Sequence, residues 1–283
     1  MAETRPSIAD KRRAFQRLHE GGCFVIPNPW DVGSARWLQT LGFKALATTS
    51  SGFAWSQGYP DGAISRDMAL AHLQQMVAAT DVPVNADFQN GFALDAAGVA
   101  QSVRLAVETG VAGLSIEDST GDLARPLYEL DVAVDRIRAA RRAIDKAGGD
   151  TVLVGRAECF LVGRPDLDET IGRLAAYAQA GADCLYAPGV GTRDQIAAVV
   201  AAVAPKPVNL LVGSASTLTL QQIASLGVRR VSVGGALARS AWGGFVRAAR
   251  LIAEQGKFDG FAGAASGSEL DSLFRDDLEK RNR

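Results

Sequence analysis

Asp87, Glu117, Asp118, Arg156 and Glu158 stand at or just beyond the ends of three short apolar runs, Val82–Ala86, Gly113–Ile116 and Thr151–Gly155. Carboxylates and a guanidinium gathered in one place would hold a divalent cation and an anionic substrate together. Side chains alternate along a strand, so Arg156 and Glu158 share one face while Glu117 and Asp118 face opposite ways. Glu117 is read as the inward acid and Asp118 as a structural partner at the loop. A buried Arg156 needs a carboxylate from the protein or from a ligand, and an Arg156–Glu158 pair bridging core layers is the structural alternative. Asp87 precedes the Gly-containing loop Phe88-Gln89-Asn90-Gly91. It is read as a ligand for Mg²⁺, with Mn²⁺ as the alternative, because such cations take one or two carboxylates plus waters and substrate oxygens. A turn or helix cap is the plainer reading of Asp87. Hydroxyls and backbone amides around Gly52, in Thr48-Thr49-Ser50-Ser51-Gly52-Phe53, suit a carboxylate. Asp61, within Gly58-Tyr59-Pro60-Asp61-Gly62, is by itself a turn residue.

The elements needed to bring these groups together are strands and helices in alternation. Strand-like runs occur at Cys23–Pro27, Ala45–Ser50, Val82–Asp87, Gly113–Asp118, Thr151–Glu158, Cys184–Pro188, Pro207–Val212 and Arg229–Gly234. Amphipathic stretches between them include Met68–Thr80, Ala96–Thr109, Ala133–Lys146, Glu169–Ala180 and Leu218–Leu226. Such alternation predicts βα units and a parallel sheet. A shared joint recurs at Gly42, Gly110, Gly181 and Gly227: a helix ends in Gly, and a strand starts two or three residues later. No Gly-rich dinucleotide fingerprint follows the first run, where Asn28-Pro29-Trp30-Asp31 stands. The expected fold is therefore a (β/α)₈ TIM-type barrel over residues 1–257, with acids and Arg156 on the rim formed by the strands' carboxyl ends. Residues 258–283 read as a tail with an extra helix from Ser268, packing on its own barrel or on a partner subunit.

Composition excludes several classes. The chain of 283 residues carries a formal charge of −1 and no basic stripe, so no nucleic-acid partner is expected. No apolar run approaches the roughly 20 residues that span a bilayer, and Met1–His19 lacks the core of a signal peptide. Three scattered cysteines argue for a reducing cytoplasm rather than a disulfide framework. Cys159 has no histidine beside it in sequence and is read as a buried structural thiol. His19 and His72 fall in helical stretches and are read as surface or helix-face residues, and no zinc cluster is present.

Taken together, the segments Pro27-Asn28-Pro29-Trp30-Asp31, Thr49-Ser50-Ser51-Gly52, Gly58-Tyr59-Pro60-Asp61, Ala86-Asp87-Phe88-Gln89-Asn90-Gly91-Phe92, Ile116-Glu117-Asp118-Ser119 and Gly155-Arg156-Ala157-Glu158 resemble the isocitrate lyase/phosphoenolpyruvate mutase superfamily. The resemblance runs from about Pro27 to Leu251. It implies a barrel that binds Mg²⁺ and a small 2-oxo acid, and a homo-oligomer, dimer or tetramer, in which the last helix is exchanged. It also implies roles: Asp87 on the metal, with Glu117 reaching it directly or through water; Asp61 as an acid near the metal. Ser51, Gly52 and Phe53 would cradle the substrate carboxylate, Arg156 would neutralise substrate charge, and Asn209 would be a polar rim position.

The sequence also departs from the family pattern. Gln89 stands where the family has a second loop acid, which removes a negative charge from the metal's surroundings. The loop Ser119–Leu127 contains neither a Lys-Lys-Cys-Gly-His segment nor the Lys and Asn of phosphonopyruvate-acting members. The expected activity is a Mg²⁺-dependent lyase on a small 2-oxo or 2-hydroxy acid, cleaving a C–C bond through a pyruvate-like enolate, in the manner of oxaloacetate decarboxylase or 2-methylisocitrate lyase. The alternatives are a C–P phosphonomutase or hydrolase and a barrel that binds a carboxylate without turnover. A proton donor is not selected by sequence; Asp122 and Arg125 in the loop are the candidates.

Overall fold

Runs of β-branched and small apolar residues at Phe24–Ile26 (β1), Leu46–Ala47 (β2), Val84–Asp87 (β3), Gly113–Glu117 (β4), Val152–Arg156 (β5), Cys184–Tyr186 (β6), Val208–Leu211 (β7) and Arg230–Ser232 (β8) form one parallel sheet. The computed structural model describes residues 5–281. The 8-stranded sheet has the order β1-β8-β7-β6-β5-β4-β3-β2, so it curls until β1 and β2 meet. Ala47 N donates to Pro27 O across that seam at 3.1 Å. Asn28 fastens it further. Its Nδ2 donates to Thr48 O at 2.9 Å, and its Oδ1 accepts from Val233 N and Gly234 N, both at 2.9 Å. One buried amide thus ties β1, β2 and β8 together. Asn28→Ala leaves three backbone groups without partners and is expected to lower stability by about 2 kcal/mol, read as a lower midpoint in urea.

Helices Ile8–Glu20 (α1), Val32–Thr40 (α2), Ser50–Ser56 (α3), Arg66–Ala79 (α4), Ala96–Glu108 (α5), Leu130–Lys146 (α6), Leu167–Gln179 (α7), Arg193–Val203 (α8), Leu220–Ser225 (α9), Ala236–Gln255 (α10) and Gly267–Arg281 (α11) complete the TIM-type (β/α)₈ architecture. Side chains spaced three and four apart bury one stripe of several outer helices against the barrel. Val99, Val103, Ala106 and Val107 do so on α5, and Val134, Ile137, Ala140 and Ile144 on α6. At the recurring joints, Gly42, Gly110, Gly181 and Gly227 adopt φ of 85°, 89°, 105° and 89°. A residue with a Cβ is strained there, which explains the repeated glycine at these four joints.

α1 closes the bottom of the barrel. Its Ser7–Asp10 capping box starts it, and Phe15, fully buried, packs among Ala112, Val152 and Val154 on the barrel's inner face. Arg12 Nε donates to Val111 O at 3.0 Å and Gln16 Nε2 to Asp150 O at 3.1 Å, both just before strands. α3 begins at Ser50, where a strand end and a loop were expected, because Thr49 Oγ1 caps it by accepting from Gly52 N. α10 starts at Ala236, shortly after β8. α11 folds back on its own barrel: the Arg36–Asp277 pair at 3.3 Å joins it to α2, and Leu270 and Phe274 line one groove with Trp30 and Trp37. Among the described residues no helix is long and apolar enough to cross a membrane.

Candidate active site at the barrel mouth

Period two sorts the strand-end residues as alternation requires. Asp118, on the outward side of β4, is buried and accepts from Glu158 N at 2.8 Å, Tyr177 Oη at 2.6 Å and Arg173 Nη1 at 3.1 Å. It fastens β5 and α7 and takes no part in the cavity. Glu117 and Arg156 point inward and are register partners.

Asp87 ends β3 with its backbone N–H on Thr48 Oγ1 at 2.9 Å, and its Oδ2 accepts from Ser50 N at 2.9 Å. The other oxygen, Oδ1, lies 3.2 Å from Arg156 Nη1. The same Nη1 lies 3.2 Å from Glu117 Oε2, and Nε donates to Glu158 Oε1. A single guanidinium therefore draws three carboxylates together, with its charge 5.1 Å over the Tyr186 ring. Asp61 joins the edge of this group, accepting from Ser50 Oγ at 3.4 Å.

These charges do not balance, since four acids face one arginine. Burial pushes Glu117 well above the usual carboxylate range; Arg156 opposes the shift, while Glu158, Asp87 and Asp61 add to it. Burial likewise raises Glu158. Asp61 is raised by burial and then by the charge of Asp87. Burial disfavours charged Arg156, yet Glu158 and Glu117 outweigh it and hold the guanidinium above its ordinary value.

That surplus of negative charge is the test of whether a divalent cation fits. Asp87 and Glu117 present oxygens to one point, Asp61 stands nearby, and all three are short of positive charge. Among the described residues no three His, Cys, Asp or Glu side chains converge into a ready cage. The donor set therefore suits a hard cation that binds one or two carboxylates and keeps waters or substrate oxygens. Mg²⁺ meets that description. Asp87 and Glu117 would hold it, and Asp61 would face it.

Beneath the rim lies a chamber of about 180 Å³ whose lining includes Ser51, Asp61, Asp87, Arg156, Tyr186 and Arg230. Of the residues expected to cradle a carboxylate, Ser51 lines it, and the Ser51 N–H has no acceptor among the described residues. Gly52 N and Phe53 N are already bonded to Thr49 Oγ1 and Thr49 O. Gly52 is tightly packed: a Cβ there would meet Thr49 Cγ2 at 2.7 Å and Trp30 Cβ at 3.0 Å. The ring of Phe53 turns away from the chamber and stacks on His72, centroids 3.9 Å apart at 12°. His72 is accordingly no surface residue. It is buried beside a small void of about 20 Å³ shared with Asp87 and Gln89, and burial lowers its pKa to about 4. His19, half-buried under the barrel, is lowered to about 4 by burial as well. Cys159 is fully buried.

Asn209 does not reach the rim. It is buried one step deeper, accepting from Arg230 Nε at 2.8 Å and donating to Ser232 Oγ at 2.9 Å. Asp122 and Arg125 sit in a small hairpin closed by the Ser119–Leu127 bridge, both exposed and 3.8 Å from each other. Sequence reading missed Asn28, Tyr186 and Arg230. For Arg230 a signal existed: a charge within a short apolar run, on the same face as Ser232.

Comparison with known proteins places this arrangement. A family profile described as phosphoenolpyruvate phosphomutase matches residues 15–253. An uncharacterized protein of Mycobacterium tuberculosis is 33% identical over 223 residues, 78% of this chain and 81% of its own. Oxaloacetate decarboxylase of Rhodopseudomonas palustris is 31% identical over 201 residues, 68% of each chain. A solved structure from Burkholderia cenocepacia, assigned as a lyase/mutase, is 49% identical with a TM-score of 0.92, covering 95% of this chain and 97% of that one. A closed barrel with acids and an arginine at its mouth, matched along most of its length to lyases and a mutase, makes this chain a member of the isocitrate lyase/phosphoenolpyruvate mutase superfamily.

Proposed function

We propose that this chain is a Mg²⁺-dependent lyase that cleaves a C–C bond of a small 2-oxo or 2-hydroxy carboxylic acid, leaving a pyruvate-like enolate. The observation that carries the reading is the meeting of Asp87 and Glu117 on one nitrogen of Arg156 above a polar chamber. When bound, Mg²⁺ supplies Lewis-acid charge where the substrate's 2-oxygen becomes negative. Arg156 adds a fixed positive charge beside that oxygen, at no reorganisation cost because Glu158 and Tyr186 already hold its guanidinium. The Ser51 N–H takes one oxygen of the substrate carboxylate. Glu117 and Asp61, raised by burial, stay ready to hold or release a proton at the mouth.

The relatives include oxaloacetate decarboxylase, which makes oxaloacetate the first acid to test. A panel of oxo acids assayed with Mg²⁺ and again with EDTA decides. Chelator-sensitive pyruvate release from oxaloacetate is the expected result. Phosphate release from phosphonopyruvate would instead support C–P chemistry, and tight binding with no product would support a non-catalytic barrel.

The assembly that fits this reading is a homo-oligomer. Trp242, Phe245, Phe258 and Phe261, 39%, 62%, 65% and 52% exposed, form an apolar face along α10 and the turn after it. Phe245→Glu is expected to shift the sedimentation coefficient towards a smaller species, and an unchanged coefficient would remove this face from the assembly.

A further inference from the structure

Arg230 opens β8 at the far end of an unbroken polar row. Glu117, Arg156, Tyr186, Asn209 and Arg230 are successive register partners across five strands, running from the rim into the barrel. Arg230 is 2% exposed and lines the same chamber as Asp87 and Arg156. Its bonds go only to neutral amides, Nε to Asn209 Oδ1 at 2.8 Å and Nη1 to Asn85 Oδ1 at 3.3 Å. The remaining N–H groups have no acceptor among the described residues.

The other buried arginines are compensated differently. Arg156 meets three acids, Arg173 meets Asp118 and Glu169, and Arg12 meets Asp150. Arg136, which has no acid, gives its N–H groups to the backbone oxygens of Asn90, Ala93 and Leu94 and lies over the Tyr128 ring. Arg230 alone among these combines burial, a cavity wall and no full charge opposite it. Burial pushes its pKa down, and only Cys184 and Tyr186, with no carboxylate beside them, oppose that shift. A buried cation fixed by amides but not neutralised is costly unless an anion completes it. The two ends of the chamber thus differ: the rim arginine is saturated with carboxylates, and the floor arginine has none.

We propose that Arg230 binds a second carboxylate of the substrate, so that the substrate is a short diacid whose far end points down the barrel. This rests on the reading of the chamber as a metal-dependent acid site. Asn85 and Asn209 orient the guanidinium in the plane a carboxylate needs and leave its charge for the ligand. An acid with a single carboxylate would fill the rim and leave the floor unmet, so Arg230 discriminates between acids that share one reacting head.

Malate and lactate provide the test, because they share a 2-hydroxy acid head and differ by one carboxylate. Binding of each is measured by calorimetry in Mg²⁺ and in EDTA, to the parent protein and to Arg230→Met. The parent is expected to bind malate about tenfold or more tightly than lactate. Arg230→Met should erase that preference while leaving the affinity for lactate within about twofold. Should the Met variant fail to fold, Arg230→Gln carries the same comparison. Equal affinity of the parent for both acids, or equal weakening of both by the substitution, would reduce Arg230 to scaffolding and overturn the proposal. Failure of the underlying reading looks different: neither acid binds, or EDTA changes nothing, whatever the ratio between them.

Discussion

Arg156→Ala is expected to lower turnover of the acid identified by the oxo-acid panel at least a hundredfold. A fixed charge beside a developing oxyanion supplies some 3–4 kcal/mol of transition-state stabilisation, and alanine removes all of it. The same change strips Asp87, Glu117 and Glu158 of the cation they share. In metal-free buffer near neutral pH the variant should therefore also be less stable by about 3–5 kcal/mol. Acidification should restore part of that stability, because the orphaned carboxylates then take up protons. Steady-state kinetics and urea titrations at two pH values read both effects. An activity loss of less than tenfold would remove Arg156 from the chemistry and leave it a strut.

The second large effect has opposite signs with and without metal. Glu117 has a folded-state pKa above its unfolded value. Below the unfolded value, about 4.3, it is protonated in both states and the folded protein keeps its full stability. As pH rises through the folded value, the buried acid is forced to ionise beside Glu158, Asp87 and Asp61, and stability is lost. Glu117→Gln should thus match the parent near pH 4 and be more stable than it at pH 8 without metal. Adding Mg²⁺ should reverse the ranking, since the glutamine gives the cation no charge. A fall of about 10–100-fold in Mg²⁺ affinity is expected, comparable to losing a group that supports a metal ligand. Thermal melts at pH 4 and 8, each with and without Mg²⁺, check all four corners. A variant that is less stable than its parent at pH 8 in EDTA would show that Glu117 is satisfied by Arg156 alone.

Both results depend on how plainly different parts of the molecule speak through sequence. The eight strands are legible because each is a brief apolar run followed by a charged or polar residue, and the glycine joints mark where helices stop. Glu117 and Asp118 separate because neighbouring side chains of an extended chain face opposite ways. α1 was opaque because its buried face includes Lys11 and Arg12, whose aliphatic stems pack inward while their heads bond backbone oxygens. α3 hid because Ser-Ser-Gly is loop-like until Thr49 supplies a cap. His72 belongs with Leu73, Met76 and Val77 on the inward stripe of α4, but a titratable side chain in that company is easily assigned to solvent. Arg230 was overlooked because a basic residue at a strand start suggests an exposed end, whereas barrel strands are so short that their first residue already faces the interior.

With Phe15 wedged beneath the strands, the chamber is a blind alley. Whatever enters must turn round at the same doorway, and two fragments made inside cannot exchange places on the way out. The piece nearer the door departs first and the one at the dead end departs last, so the inner fragment should act as a competitive inhibitor of fresh substrate while the outer one should not. Traffic order would then follow from the plug rather than from the relative affinity of either product.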